Sequence, residues 1–153
     1  MKRWIIYAAV IAVLGFSPHR GVDISKLTPV QTVWLTEQNG VIYLHTDSGD
    51  FGAGADIEAA LNTLNDSASG IVFLETADYL IIEVGREELL MQVNEIFRPG
   101  CMICTAEERP DLKKATAYLE IHAPDITLRQ WRVEQKKLQQ LQEKDGRLGW
   151  SDG

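Results

Sequence analysis

The Asn39-Gly40 pair constrains this chain most. It separates two runs of β-type residues, 30–36 and 41–46, and Asn-Gly supplies the positive φ values that a tight two-residue turn demands. An antiparallel hairpin is therefore expected at the front of the folded part, and the rest must add to its sheet or cover it.

Downstream, the pattern alternates between helix and strand. Residues 46–54 (TDSGDFGAG) read as a polar, glycine-rich loop. Ile57, Ala60, Leu61 and Leu64 fall at i, i+3, i+4 and i+7, the apolar stripe of a first helix, with Asp56 and Glu58 at its positive end. A long apolar stretch follows, broken by Glu75-Thr76-Ala77-Asp78, and predicts two strands at 71–74 and 79–84. Leu89, Val93, Ile96 and Phe97 predict a second helix, stopped by Pro99-Gly100. Residues 101–105 form a short strand. Pro110 opens a third helix with Leu112, Ala115, Leu119 and His122 inward, and Pro124 ends it. Asp125 caps a last helix, 126–145, whose apolar residues thin to Trp131, Val133, Leu138 and Leu141, and 146–153 is expected to be a disordered tail.

The chain's 153 residues, 45% of them hydrophobic, suffice for one core and not for two ordinary domains. The expected organisation is an N-terminal segment 1–21, one domain 22–125, the amphipathic helix and the tail. The fold class is α+β, a mixed α/β arrangement: a small, mostly antiparallel or mixed sheet of about five strands flanked by helices, in the order ββαββαβαα. Leu61, Leu64, Phe73, Ile81, Leu90, Val93, Ile103 and Leu119 are expected in one core.

Residues 1–21 differ from everything after them. Lys2 and Arg3 precede an apolar run from Trp4 to Phe16, followed by Ser17, Pro18, His19 and Arg20, the shape of a secretory signal. Thirteen residues fall short of the roughly 20 that span a bilayer as a helix. A cleaved signal peptide and a retained signal anchor both fit, and either places the domain outside the cytoplasmic membrane, touching it through this segment only. The segment carries three cations and no anion, whereas residues 22–129 carry seven cations against eighteen anions. So anionic a body argues against nucleic acid or anionic phospholipid as its partner.

The sequence offers few chemical motifs. Cys101 and Cys104 form a C-x-x-C, but in a strand residues i and i+3 face opposite ways, so a disulfide would need a turn. Two core thiols, a structural disulfide and a thiol-disulfide redox pair remain open. A zinc site would need four ligands, and only His122 joins the cysteines. Asp47 and Asp50 flank Ser48-Gly49 and invite a cation such as calcium, although the spacing is not that of an EF-hand. No lysine follows these glycines to hold a phosphate. His45 and His122 lack the local signal of a catalytic triad and read as structural. No cofactor is expected. Trp131 and Leu138, seven residues apart, would share one stripe of the last helix with Leu141 beside them, a candidate docking stripe for a protein partner.

The order of elements resembles the N-terminal domain of the C subunit of spore germinant receptors, the Ger(x)C lipoproteins of spore-forming bacteria. The resemblance covers residues 22–124. It rests on the hairpin, on the helix Ile57-Glu58-Ala59-Ala60-Leu61-Asn62-Thr63-Leu64, on the strands Ile71-Val72-Phe73-Leu74 and Tyr79-Leu80-Ile81-Ile82, and on the helix Lys114-Ala115-Thr116-Ala117-Tyr118-Leu119. The family carries a lipobox cysteine after its signal, which Val13-Leu14-Gly15-Phe16-Ser17 lacks, and continues into two further domains. A short, unlipidated, stand-alone relative is expected. The resemblance implies a non-enzymatic binding or assembly role at the membrane, linked to spore germination. The alternative from the residues themselves is an extracytoplasmic thiol-disulfide protein using Cys101 and Cys104.

Overall fold

The computed structural model describes residues 27–151. Residues 1–26, which include the segment 1–21 expected to be a secretory signal, and the last two residues lie outside them. The expected hairpin is present: β2 (Thr32–Gln38) and β3 (Val41–Thr46) pair antiparallel from Val33↔Thr46 to Gln38↔Val41. Asn39 and Gly40 sit between them at φ 53° and 75°, the left-handed geometry this turn requires.

Around this hairpin the fold is mixed α/β. One sheet of seven strands runs β4-β3-β2-β6-β7-β8-β9, with β4 at Phe51–Gly54, β6 at Tyr79–Glu83, β7 at Met102–Ala106, β8 at Gln140–Lys144 and β9 at Arg147–Trp150. Strands β2, β6, β7 and β8 are mutually parallel, and antiparallel hairpin strands finish both edges. A separate ribbon pairs β1 (Leu27–Pro29) with β5 (Ile71–Phe73) in parallel. The central strand explains the long apolar stretch in the sequence: Leu80, Ile81 and Ile82 are consecutive and all fully buried, because helical or turn segments cover both faces of the sheet there.

The two faces make two cores instead of one. On the first, Leu35, Leu44, Leu80, Ile82 and Ile103 pack beneath helix α1 (Ile57–Ser67), the segment 87–97 and helix α3 (Leu128–Glu134). On the second, Trp34, Ile81, Cys104 and Leu141 pack beneath helix α2 (Leu112–Ile121) through Leu112, Ala115 and Leu119. The expected core residues divide accordingly. Leu64, Leu90, Val93 and Ile103 join the first, Ile81 and Leu119 the second, Leu61 packs against the first from its margin, and Phe73 is exposed.

Helix α1 starts where Asp56 Oδ1 accepts from the Ala59 amide at 2.8 Å, a cap worth about 1 kcal/mol. Helix α2 starts at Asp111, whose carboxylate takes the Lys113 and Lys114 amides at 3.1 Å just after Pro110. Its expected inner residue His122 is instead the exposed C-cap.

Four further expectations need correction. Residues 51–54 are an edge strand, not loop. The second helix is a 3-10 turn at Glu87–Met91 followed by further turns, which buries Leu89, Val93 and Phe97 without a continuous α-helix. The last helix does not run from 126 to 145. A Thr127–Gln130 capping box starts α3, and Gln135 in the left-handed conformation ends it after seven residues. The tail is not free either, because Asp145 and Gly146, at φ 54° and 74°, turn β8 into β9. With two more strands at the C-terminus, β4, and the small ribbon, the element order departs from ββαββαβαα while the class stands.

Candidate functional site

The stripe expected on a C-terminal helix does not exist. Trp131 lies on α3 and Leu138 on the extended segment after it, both buried in the first core, whereas Leu141 on β8 is buried in the second. Alternating side chains of an extended chain reach opposite faces, so residues that would share one side of a helix are here divided by the sheet.

The cysteines are also divided. Cys101, ahead of β7, belongs to the first core and Cys104, within β7, to the second; both are buried and unbonded. Burial pushes the Cys101 thiol from its ordinary 9 up to about 12, with the Arg98 guanidinium opposing part of the rise. Burial and the neighbouring Cys101 push Cys104 up as well. A reactive redox cysteine needs the opposite, an accessible thiol with a depressed pKa.

Asp47 and Asp50 are each taken up by neighbouring protein groups. The Asp47 carboxylate accepts from the Gln31 amide at 3.2 and 3.3 Å, and Asp50 Oδ2 accepts from Ser48 Oγ at 2.6 Å. Among the described residues no group of three His, Cys, Asp or Glu side chains is placed to hold a metal ion.

His45 sits on β3 opposite Trp34, on the sheet face that α2 covers only in part. Its ring lies 4.7 Å from that of Phe51, and its Nδ1 is 2.6 Å from Arg109 Nη1. A guanidinium can only donate, so the imidazole presents a lone pair and is neutral. Burial first, and the Arg109 charge second, lower its pKa from 6.5 to about 4. The His122 ring lies tilted against that of Tyr118, with centroids 4.7 Å apart.

An open, partly apolar concavity lies on the first face, where sequence patterning gave no warning. Two cavities of about 420 and 850 Å³ share Leu61, Glu95 and Ile96 and so form one groove between α1, β5 and the segment 87–97. Ile71, Phe73 and Met91, at 43, 40 and 57% exposure, open onto it. Ile71 and Phe73 flank buried Val72 on a three-residue strand. Which of these apolar residues would be covered depends on how β1 and α1 pack around β5, which the pattern of β5 itself does not encode.

Compared with known proteins, the chain matches no family model, and neither a curated protein nor a solved structure is significantly similar to it. Its surface chemistry therefore carries the functional argument. Among the described residues no helix is long and apolar enough to cross a membrane.

Proposed function

We propose that this protein is a non-enzymatic binding or assembly module held at the outer face of the cytoplasmic membrane by its N-terminal apolar segment. The observation that carries the reading is the convergence of Ile71, Phe73 and Met91 on a single groove. Isolated exposed apolar residues are ordinary, but several lining one concavity mark a place where another surface docks. The location follows from Lys2, Arg3 and the apolar run behind them. A link to spore germination rests on the Ger(x)C resemblance alone. The thiol-disulfide alternative draws no support from two buried thiols on opposite faces.

Photo-crosslinking in the native envelope tests the reading. A photoreactive residue placed at Phe73 or Met91 is expected to give a discrete protein adduct, and one at Ile121, exposed on α2, none. Equal labelling at all three positions, or none at any, would remove the binding role. A reporter active only in the cytoplasm, fused after Gly153, is expected to stay silent; its activity would overturn the location. Deleting the gene in a spore-forming host is expected to delay the germinant response, and an unchanged response would sever the germination link.

A further inference from the structure

We infer that the groove takes a cationic amphipathic segment of a partner protein, one that lays aliphatic side chains into the concavity and Lys or Arg along its rim. The inference rests on the binding-module reading and names the chemistry of its partner.

The floor and the rim carry different information. The apolar part of the lining is Leu61, Ile71, Phe73, Met91 and Ile96, which run from β5 to the 3-10 turn with Asn65, Gln92 and Asn94 between them. The rim is acidic. Glu75 and Glu95 border one end, and Asp56, Glu58 and again Glu95 border the other. Arg132 of α3 is the single cation lining either cavity. Asp56 is engaged as the cap of α1, but Glu58, Glu75 and Glu95 are exposed and enter no ion pair among the described residues. Three free carboxylates around an apolar trough form a field that attracts positive charge and repels negative charge.

This charge pattern selects among occupants. An anionic lipid surface would bring phosphates against the carboxylates. A second copy of this chain would bring a body with eighteen anions against seven cations over residues 22–129. A neutral apolar peptide would fill the floor and leave the rim unused. A helix with one aliphatic and one basic face satisfies both, the helix-in-groove mode in which anchors one turn apart enter a trough.

The test uses the full chain in a non-ionic detergent with its methionine methyl groups isotopically labelled. The probe is a synthetic peptide with Leu on one helical face and Lys on the other; a matched peptide carries Glu in place of Lys. The Met91 methyl resonance is expected to shift with the Lys peptide and stay fixed with the Glu peptide, while Met102, within β7, stays fixed with both. The double variant Glu58→Lys, Glu95→Lys changes only exposed side chains, and an unchanged Met102 resonance reports that it is folded. It is expected to bind the Lys peptide about tenfold more weakly. Equal response to both peptides, or equal affinity of the variant, overturns the inference. So does a Met91 shift that follows protein concentration instead of peptide, which would make the occupant a second copy. If the adducts at Phe73 and Met91 persist in the charge-reversed variant, the groove still binds but not through its acidic rim. The inference then fails while the binding-module reading stands.

Discussion

Gly52 lies directly beneath Ala60: a β-carbon on this glycine would collide with the Ala60 carbonyl oxygen and come within 2.7 Å of Leu64 Cβ. Gly54, two residues on, meets α1 in the same way at the Ala60 amide and Ala59. The glycines of edge strand β4 thus let the helix backbone rest on the strand backbone, which seats α1 and the groove wall it forms. The outward carbonyl of Phe51 is in turn taken by Ser67 Oγ at 2.7 Å, tying the strand to the last turn of the helix.

Gly52→Ala is therefore expected to lift α1 off the sheet, at a cost of about 1–3 kcal/mol, the range for forcing extra atoms into a packed contact. Gly100→Ala, whose added carbon meets nothing within 4 Å, is the control and should stay within about 0.5 kcal/mol of the parent. Thermal unfolding followed by circular dichroism compares them. Equal melting temperatures would show that α1 is not seated by this contact.

The contrast between Asn39-Gly40 and residues 51–54 shows what the sequence made legible. A turn type is a demand on two residues, so Asn-Gly announces it locally. The need for glycine at 52 comes from a helix that arrives only afterwards, and without it Phe51-Gly52-Ala53-Gly54 looks like loop. Leu80-Ile81-Ile82 was readable because a strand buried on both faces is apolar throughout. Gln140–Lys144 was not, since Gln, Glu and Lys favour helix, and only the open edge of β7 makes a strand of it. The Asp145-Gly146 signal was as local as Asn39-Gly40, but it stood behind a segment with no β-type residues. The groove was least legible of all, because exposure of Ile71 and Phe73 is set by elements remote from β5.

The thiols provide a second measurement. Cys101 and Cys104 are expected to resist an aromatic disulfide reagent in the native state and to react in denaturant. Folded Cys101 holds its proton up to about 12, whereas an unfolded thiol releases it near 9. The unfolded state therefore loses protons first, and this group's contribution to stability is complete below pH 9 and declines as pH rises towards 12. The Cys101→Ala, Cys104→Ala variant should flatten that decline and keep the fold. Rapid native labelling of either thiol would revive the thiol-disulfide alternative.

His45 and Arg109 set a dependence of the opposite sign. With its folded pKa at about 4 against 6.5, His45 is protonated first in the unfolded chain, so its contribution to stability is present above pH 6.5 and falls as pH drops towards 4. Arg109→Gln is expected to raise the His45 pKa only part of the way back, since burial is the larger cause. Nitrogen chemical shifts of the ring across a pH titration check this. A full return to 6.5 would assign the whole effect to Arg109.

The C-terminal hairpin gives the most demanding test. Truncation after Gln130 removes Trp131 and Leu138 from the first core and Leu141 from the second, and it strips β8 from the edge of β7. Had residues 126–145 formed a solvated docking helix, the domain would keep its melting temperature without them. The packing requires the reverse: the truncated chain should lose its cooperative transition and expose the apolar edge of β7, an invitation to aggregate. Because a chain that fails to fold is hard to interpret, Leu141→Ala supplies the graded version. Its side chain is 2% exposed, and its loss should cost about 2–5 kcal/mol, the range for emptying a buried leucine site. Hydrogen exchange at the Thr105 amide, which donates to the Gln139 carbonyl at 2.9 Å, should accelerate in step with the lost stability. Unchanged exchange there, with an unchanged melting temperature, would detach the hairpin from the fold and return the C-terminus to a free segment.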